Sequence, residues 1–416
     1  MLTGACARPS GAPPAPPAPA PAPAPAPAAA GAACLLDAGR GGRGPTVMVA
    51  LTDSVDPVHV PVPRNDAERL VFGQLYETLV RVDCEGHAVP GLAASWSSSD
   101  GGRRWTLTLR DQAQFWDGAP VTARDVVVGK SGAGFTLNVL DARTVVVALA
   151  RGTDAVPSFL ADPALAVTKP APDRGWPIGT GRYWVTGATA TDQEIRAHSS
   201  TGDTLVFRRA TGRDPRDLLD AGVDLLVTRD RAVLEYAATR SAFTTLELPW
   251  DRTYVLAAPP LERPDARLDG LEQAVRAEAR PAARPFWWEQ LDACGLPPGA
   301  ATTDSAGALP RRRTVFRRSD AAARDIASRI AALTRGVAAG LGSTDFARAL
   351  SAGTEAGYVF ALPRQVTDPC RAARDLLPAW PSMVAPLVDT RGRAVVRRGV
   401  SGWVVDWDGT VRLALP

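Results

Sequence analysis

The chain has 416 residues, 45% of them hydrophobic and 22% charged, with 47 basic against 44 acidic side chains and a net charge of +3. At about 150 residues per domain this predicts two or three domains, long enough to bury a large core. So even a balance excludes the clustered basic face of a nucleic-acid-binding protein. No run of about 18 apolar residues follows residue 44, which excludes a membrane-spanning helix from the folded part. Lysine occurs only at Lys130 and Lys169, and arginine supplies every other basic side chain.

Residues 1–44 open with MLTGACARPS and continue as a Pro/Ala tract. Such a tract buries little apolar area and lacks backbone donors, so it predicts a disordered, extended spacer. Leu2, Gly4 and Ala5 ahead of Cys6 resemble the lipobox of bacterial lipoproteins, which implies a lipid on Cys6 and attachment to a membrane through that anchor. No charged or apolar leader region precedes it. The remaining cysteines, Cys34, Cys84, Cys294 and Cys370, are even in number and fit two disulfides among three connectivities. Cys34 with Cys84 and Cys294 with Cys370 are the preferred pairs, each within one predicted lobe. No CxxC or Cys/His spacing points to zinc.

Taken in chain order, TVMVAL at 46–51 predicts a strand, followed by a loop with prolines at 57, 61 and 63. Asn65 and Glu68 have the spacing of a capping box, and Phe72, Leu75 and Leu79 give the helix after it an apolar face. SWSSSDGGRRWTLTLR predicts a hairpin turning at Asp100-Gly101, with Trp105, Leu107 and Leu109 inward and Thr106 and Thr108 outward. FWDGAP is a turn, Thr122 and Asp125 cap a short helix, and TVVVAL at 144–149 is a strand. Further on, RTVFRRSDAAARDIASRIAALTRG predicts a strand and then a helix capped by Ser319, with Ile326, Ile330, Leu333 and Val337 on one face. Trp403 and Trp407 fall in a terminal hairpin turning at Asp408-Gly409.

Four segments in order, LVFGQLYETLVRVD, VPGLAASW, SSSDGGRRWTLTLRDQAQFWDGAPVTARDV and PIGTGRYWV, resemble family 5 extracellular solute-binding proteins. These are the oligopeptide, dipeptide and nickel binding proteins of ABC importers. Gly222 and Asp224, the crossing strand LPWDRTYVLAAPP and the C-terminal PLVDTRGRAVVRRGVSGWVVDWDG extend the resemblance over residues 46–416. It implies an α/β, two-lobed type II periplasmic binding-protein fold. Lobe one would span 45–255, with a β-rich subdomain at about 81–168. Lobe two would span 256–375, and 376–416 would return to lobe one. The stretch between Val128 and Thr144 and the second lobe are both shorter than in relatives.

The resemblance further implies an extracytoplasmic monomer that captures a small polar ligand, with a peptide preferred, and delivers it to an ABC-transporter permease without a cofactor or a metal. The alternative is a divergent relative acting as a non-transport sensor or scaffold. Candidate ligand contacts are His59 in the Pro-rich loop, Tyr76, the Trp250, Asp251, Arg252 and Tyr254 cluster at the lobe crossing, Trp287 and Trp288, and Trp380. An aromatic, an acid and a base at a hinge suit a ligand bearing both charges. Gly179-Thr180-Gly181 is a turn rather than a phosphate loop, because no capped helix follows it. Asp100 and Asp117 occupy turn positions where Asp bonds its own backbone. No histidine sits beside a nucleophile in sequence, so the reading is not an enzyme. Arg311, Arg312, Arg313, Arg317 and Arg318 flank a short strand as a solvated sheet end.

Overall fold

The computed structural model describes residues 34–39, 44–130, 134–172, 175–210, 214–258, 313–363 and 383–413. Cys6, Cys294, Cys370, Trp287, Trp288 and Trp380 lie outside them, and so do Arg311 and Arg312.

The first half is built on β2 (Thr46–Leu51), which pairs in parallel with β11 (Thr204–Arg209) on one side and β12 (Leu225–Thr228) on the other. Each of these strands is followed by a helix: α1 (Asp66–Leu75), α3 (Pro215–Asp220) and α4 (Arg231–Ala238). β10 (Glu194–Ser199) and β9 (Tyr183–Trp184) extend the sheet antiparallel. Asn65 caps α1 as its sequence predicts, accepting from the Glu68 N–H at 2.9 Å. Glu68 does not complete the box. Its buried carboxylate instead accepts from the backbone N–H of Asp56 and of Arg64 and sits 2.7 Å from His59 Nδ1, which folds the Pro-rich loop onto the helix. The helix ends at Leu75, so Leu79 packs in a neighbouring core and not on its face.

The predicted β-rich subdomain is a four-stranded antiparallel sheet. It is ordered β5 (Ala93–Ser99), β6 (Arg104–Leu109), β8 (Thr144–Leu149) and β7 (Phe135–Val139), and α2 (Ala123–Val127) packs nearby. Asp100, Gly101 and Gly102 all have positive φ at the hairpin turn, and Trp105, Leu107 and Leu109 are buried as the alternation requires. Both lysines brace this subdomain. Lys130 Nζ donates to the carbonyls of Leu165 and Ala166 at 2.7 and 2.6 Å, and Lys169 Nζ lies 2.8 Å from Asp117 and over the Phe115 ring. The Gly179-Thr180-Gly181 turn returns the chain against α1. A Cβ on Gly181 would lie 2.5 Å from the Gln74 carbonyl oxygen, so only glycine allows that approach.

The second half has β14 (Arg313–Arg317), α5 (Ala321–Thr334), β15 (Val337–Leu341), α6 (Ser343–Ala352) and β16 (Gly357–Pro363), with β14 parallel to both β15 and β16. The predicted cap of α5 moves by one residue: Asp320, not Ser319, accepts from the Ala323 N–H. A carboxylate is the stronger acceptor and also favours the positive end of the helix dipole. The predicted apolar face is likewise corrected. Ile326 and Ile330 are buried, but Leu333 is exposed, and Val337 belongs to the next strand because Arg335 ends the helix in the left-handed conformation.

Two long strands join the halves. β13 (Phe243–Ala258) and β17 (Met383–Arg397) run antiparallel through both, so that one ten-stranded sheet passes through the crossing. On the first side, Phe243–Glu247 pair with Arg397–Arg393, and β17 pairs onward with β12. On the second, Arg252–Ala257 gain β16 as their other neighbour. Between these stretches the register shifts at Glu247, Trp250 and Arg252, which marks the bend.

The linker assigned to 1–44 ends earlier than its composition implies. Leu35–Leu36 form β1, which pairs with β18 (Trp403–Val405) in a small sheet that β19 (Val411–Leu413) completes. Cys34 and Cys84 form the first of the two preferred disulfides. The bridge spans 50 residues, a loop whose closure entropy in the unfolded chain is worth about 4 kcal/mol. Replacing both cysteines with alanine should therefore lower unfolding stability by a few kcal/mol, read as a fall in the urea midpoint with a steeper slope, because the unfolded chain without its cross-link is more expanded.

Candidate functional site

The parallel strands of each half point their C-terminal ends toward the bend. Ligands of open α/β sheets bind outside such strand ends. On the first half these ends carry the 52–65 loop with the start of α1, and Arg229-Asp230 with the start of α4. On the second they carry the 318–320 connection and the start of α5. The buried apolar clusters stop short of this crevice. Three of them contain only first-half residues and two only second-half residues, so no described cluster spans both.

What occupies the bend is charge. Arg229 Nη1 donates to Asp66 Oδ2 at 2.7 Å, and its Nη2 reaches Asp251. Arg252 Nη2 bonds Asp66 Oδ1 and lies 3.4 Å from Asp251. Two guanidinium groups and two carboxylates thus cancel within one cluster. Asp66 belongs to α1 of the first half, while Arg252 is the first β13 residue paired with β16 of the second, so their ion pair bridges the halves. Burial alone would raise the Asp66 pKa. Arg252, Arg229 and Arg69 outweigh it and hold the carboxyl far below the usual range. Burial works against the charge of Arg252 as well, but Asp66 and Asp251 overcome it and keep the guanidinium fully protonated.

Two residues along the strand, on the same face as Arg252, Tyr254 donates its hydroxyl to Asp320 Oδ1 at 2.7 Å. One face of β13 therefore grips the N-terminus of a helix from each half, α1 through Asp66 and α5 through Asp320. Burial drives the Tyr254 hydroxyl well above its ordinary pKa, so it stays a donor at every physiological pH. The Asp408-Gly409 turn of the terminal hairpin packs against the cluster. A Cβ on Gly409 would sit 3.0 Å from Asp251 Cβ, and Asp408 accepts from Arg69 at 2.9 Å.

Of the candidate contacts, Asp251, Arg252 and Tyr254 are brought to the bend, but as partners of other protein groups. Trp250 lies beside them with the Arg391 guanidinium 4.8 Å over its ring. His59 is on the crevice loop, half-buried and bonded to Glu68. Tyr76 is not brought there. It lies at the far end of α1, about 15 Å from Asp66 by the helix rise, with its ring edge-on to Phe72 and its hydroxyl bonded to the Pro177 carbonyl. There it lines a small groove of about 50 Å³ with Phe72, Arg69 and Trp407. Asp66, Arg229 and Asp320 are further site residues that the sequence does not single out. The only signal for them is local: each is a charged residue at a strand end or in the first turn of a helix.

Residues 87–197 match the model of the bacterial extracellular solute-binding proteins, family 5 middle region. That stretch, about a quarter of the chain, is similar to the middle segment of the family. The periplasmic murein peptide-binding protein MppA of Escherichia coli K12 is 51% identical over 57 residues, which are 14% of this chain and 10% of that one. The periplasmic oligopeptide-binding protein OppA of the same organism is 41% identical over 75 residues, 18% of this chain and 13% of that one. These matches thus span only about a tenth of the relatives' own length. The likeness in fold is far wider. The dipeptide-binding protein of Pseudoalteromonas sp. SM9913, solved with Met-Leu, superposes with a TM-score of 0.64 over 88% of this chain and 99% of that one, at 13% identity. The murein tripeptide binding protein MppA of Escherichia coli gives 0.59 over 85% and 94%, at 16% identity. The two-lobed architecture is therefore a fold shared with these two proteins, and the bend lies where the lobes meet.

Without Arg252, Asp66 and Asp251 share the single guanidinium of Arg229 and leave one negative charge in excess. Arg252→Met should lower stability by about 1–3 kcal/mol, measured by urea unfolding at pH 7. The Asp66 carboxyl is depressed in the folded state, so its contribution is complete above its unfolded pKa of about 3.9 and is lost as pH falls toward the folded value. The gap in urea midpoint between the native protein and Asp66→Asn should accordingly be widest at pH 6–7 and narrow steadily below pH 4.

Proposed function

We propose that this protein is an extracytoplasmic solute-binding protein. It captures a small polar ligand, with peptides the leading class, between its two lobes and delivers it to the permease of an ABC transporter. The observation that carries this reading is the segregation of the buried cores on either side of a two-strand hinge. Two bodies that share strands but no apolar cluster can change their angle without exposing core, which is what capture by closure requires. The peptides bound by the named relatives and fold neighbours support the ligand class. The reading assigns the protein no covalent chemistry. The Pro/Ala tract with a lipid on Cys6 would tether a monomer to the membrane and leave the lobes free to reach a permease.

The hinge cluster favours one second reading. Asp251 and Arg252, which could meet the two charged ends of a peptide, are engaged with Arg229 and Asp66. A relative whose hinge charges satisfy one another could serve as a sensor or scaffold in place of a carrier.

A thermal-shift screen with di- to pentapeptides, sugars and nickel chelates, preceded by native mass spectrometry for co-purified ligand, separates the two. A ligand that binds only the folded state at a hundred times its Kd adds about 2.7 kcal/mol, a rise of several degrees for a domain of this size. Peptides should give that rise. No shift with any class at millimolar concentration would leave the sensor or scaffold reading.

A further inference from the structure

Among the described residues, three polar contacts beyond the hinge cluster run directly from lobe to lobe. Ser319 Oγ donates to Asp53 Oδ2 at 2.9 Å. Arg317 Nη1 donates to the Arg64 carbonyl at 3.3 Å. Arg324 Nη2 lies 3.9 Å from Asp230 Oδ2. All three second-lobe groups sit at the end of β14, in the connection after it or in the first turn of α5. All three first-lobe groups sit in the loops that leave β2 and β12. These are the loops that face each other across the crevice. Donor and acceptor both belong to the protein in each case, so nothing has to be held between the lobes for the contacts to form.

The first-lobe side is pre-set to receive them. Asn65 Nδ2 donates to the Ser54 carbonyl at 2.9 Å, and Glu68 accepts from the Arg64 N–H at 2.6 Å. The two ends of the 53–65 loop are thereby pinned, which presents Asp53 and the Arg64 carbonyl together. On the other side, Asp320 is fixed by Tyr254 and by the Ala323 N–H, which holds Ser319 and Arg317 in place beside it. Each lobe thus offers a rigid half of the contact. The Ser319 and Arg317 bonds that join the halves are solvent-exposed, whereas the Arg252–Asp66 pair at the hinge is largely enclosed.

We propose that Ser319, Arg317 and Arg324 form a clasp with Asp53, Arg64 and Asp230 that closes the lobes on its own. The hinge cluster is the permanent pivot, and the exposed contacts are the reversible part. Exposed hydrogen bonds and ion pairs are individually weak, so the closed form they hold exchanges with an open one. A ligand enters through the open form, and its observed association rate is scaled by the open fraction. This deepens the capture reading but rests on the two-lobed fold alone.

The test is small-angle scattering of the full chain without added ligand. The triple variant Arg317→Ala, Ser319→Ala, Arg324→Ala should shift the open-to-closed ratio about ten-fold, seen as a larger radius of gyration than the native protein. Asp53→Ala removes an acceptor from the opposite lobe and should expand the molecule in the same direction. Arg318→Ala, whose side chain bonds Gly340 within its own lobe, should leave the curve unchanged. Circular dichroism and the melting midpoint verify that each variant is folded. Scattering curves of the triple variant and of Asp53→Ala that superpose on the native one overturn the clasp, and so does an equal expansion in Arg318→Ala. Either result leaves the ligand reading standing, and a screen in which no ligand binds leaves the clasp standing.

Discussion

The chain crosses between its lobes as paired strands, at a place where apolar burial stops and charge takes over. Everything distinctive about the molecule follows from that. β13 and β17 hydrogen-bond to each other on both sides of the bend, so neither lobe presents an unpaired edge to the hinge. The register shifts at Trp250 and Arg252 let the sheet turn there. Because no described buried cluster spans the bend, the angle between the lobes is set by polar contacts, and those can be directional.

Four charged side chains hold the pivot of that angle. A buried charge is tolerable only when it is paired, and the Asp66, Arg229, Asp251 and Arg252 group meets the condition by cancelling internally. The same arrangement gives the hinge a geometry. Arg252 ties the second lobe's strand to the first lobe's helix, and Tyr254 on the same strand face ties it to the second lobe's own helix. The terminal hairpin, held to the body by β1 and next to the Cys34–Cys84 bridge, closes over the cluster through its Asp408-Gly409 turn. The N-terminal end of the folded chain and the hinge are thereby linked through one small sheet.

Local chemistry made much of the fold legible. The TVMVAL and TVVVAL runs, the Asp100-Gly101 turn and the caps at Asn65 and Thr122 are each decided by residues a few positions apart, and each forms where the sequence puts it. The misreadings are informative for the same reason. Ser319 and Asp320 are both good caps in isolation, and Tyr254, distant in sequence, selects Asp320 by bonding it. The stretch Leu35–Asp37 reads as linker by composition, yet Leu36 is buried because β18 supplies a partner strand from the far end of the chain.

Most strands and turns, the caps at Asn65 and Thr122, the family resemblance over 87–197 and the presence of acid, base and aromatic side chains at the crossing are legible in the sequence, because those features depend on neighbours within a turn or a hairpin. What those side chains do depends on partners brought up by the fold. Arg252 and Asp66 are 186 positions apart, and Ser319 and Asp53 are 266 apart. An isolated Asp-Arg pair reads as a ligand contact until the fold brings up the opposite charges that bind it first. The reason is physical: an ion pair is fixed by distance in space, and the one-dimensional pattern carries no trace of that distance.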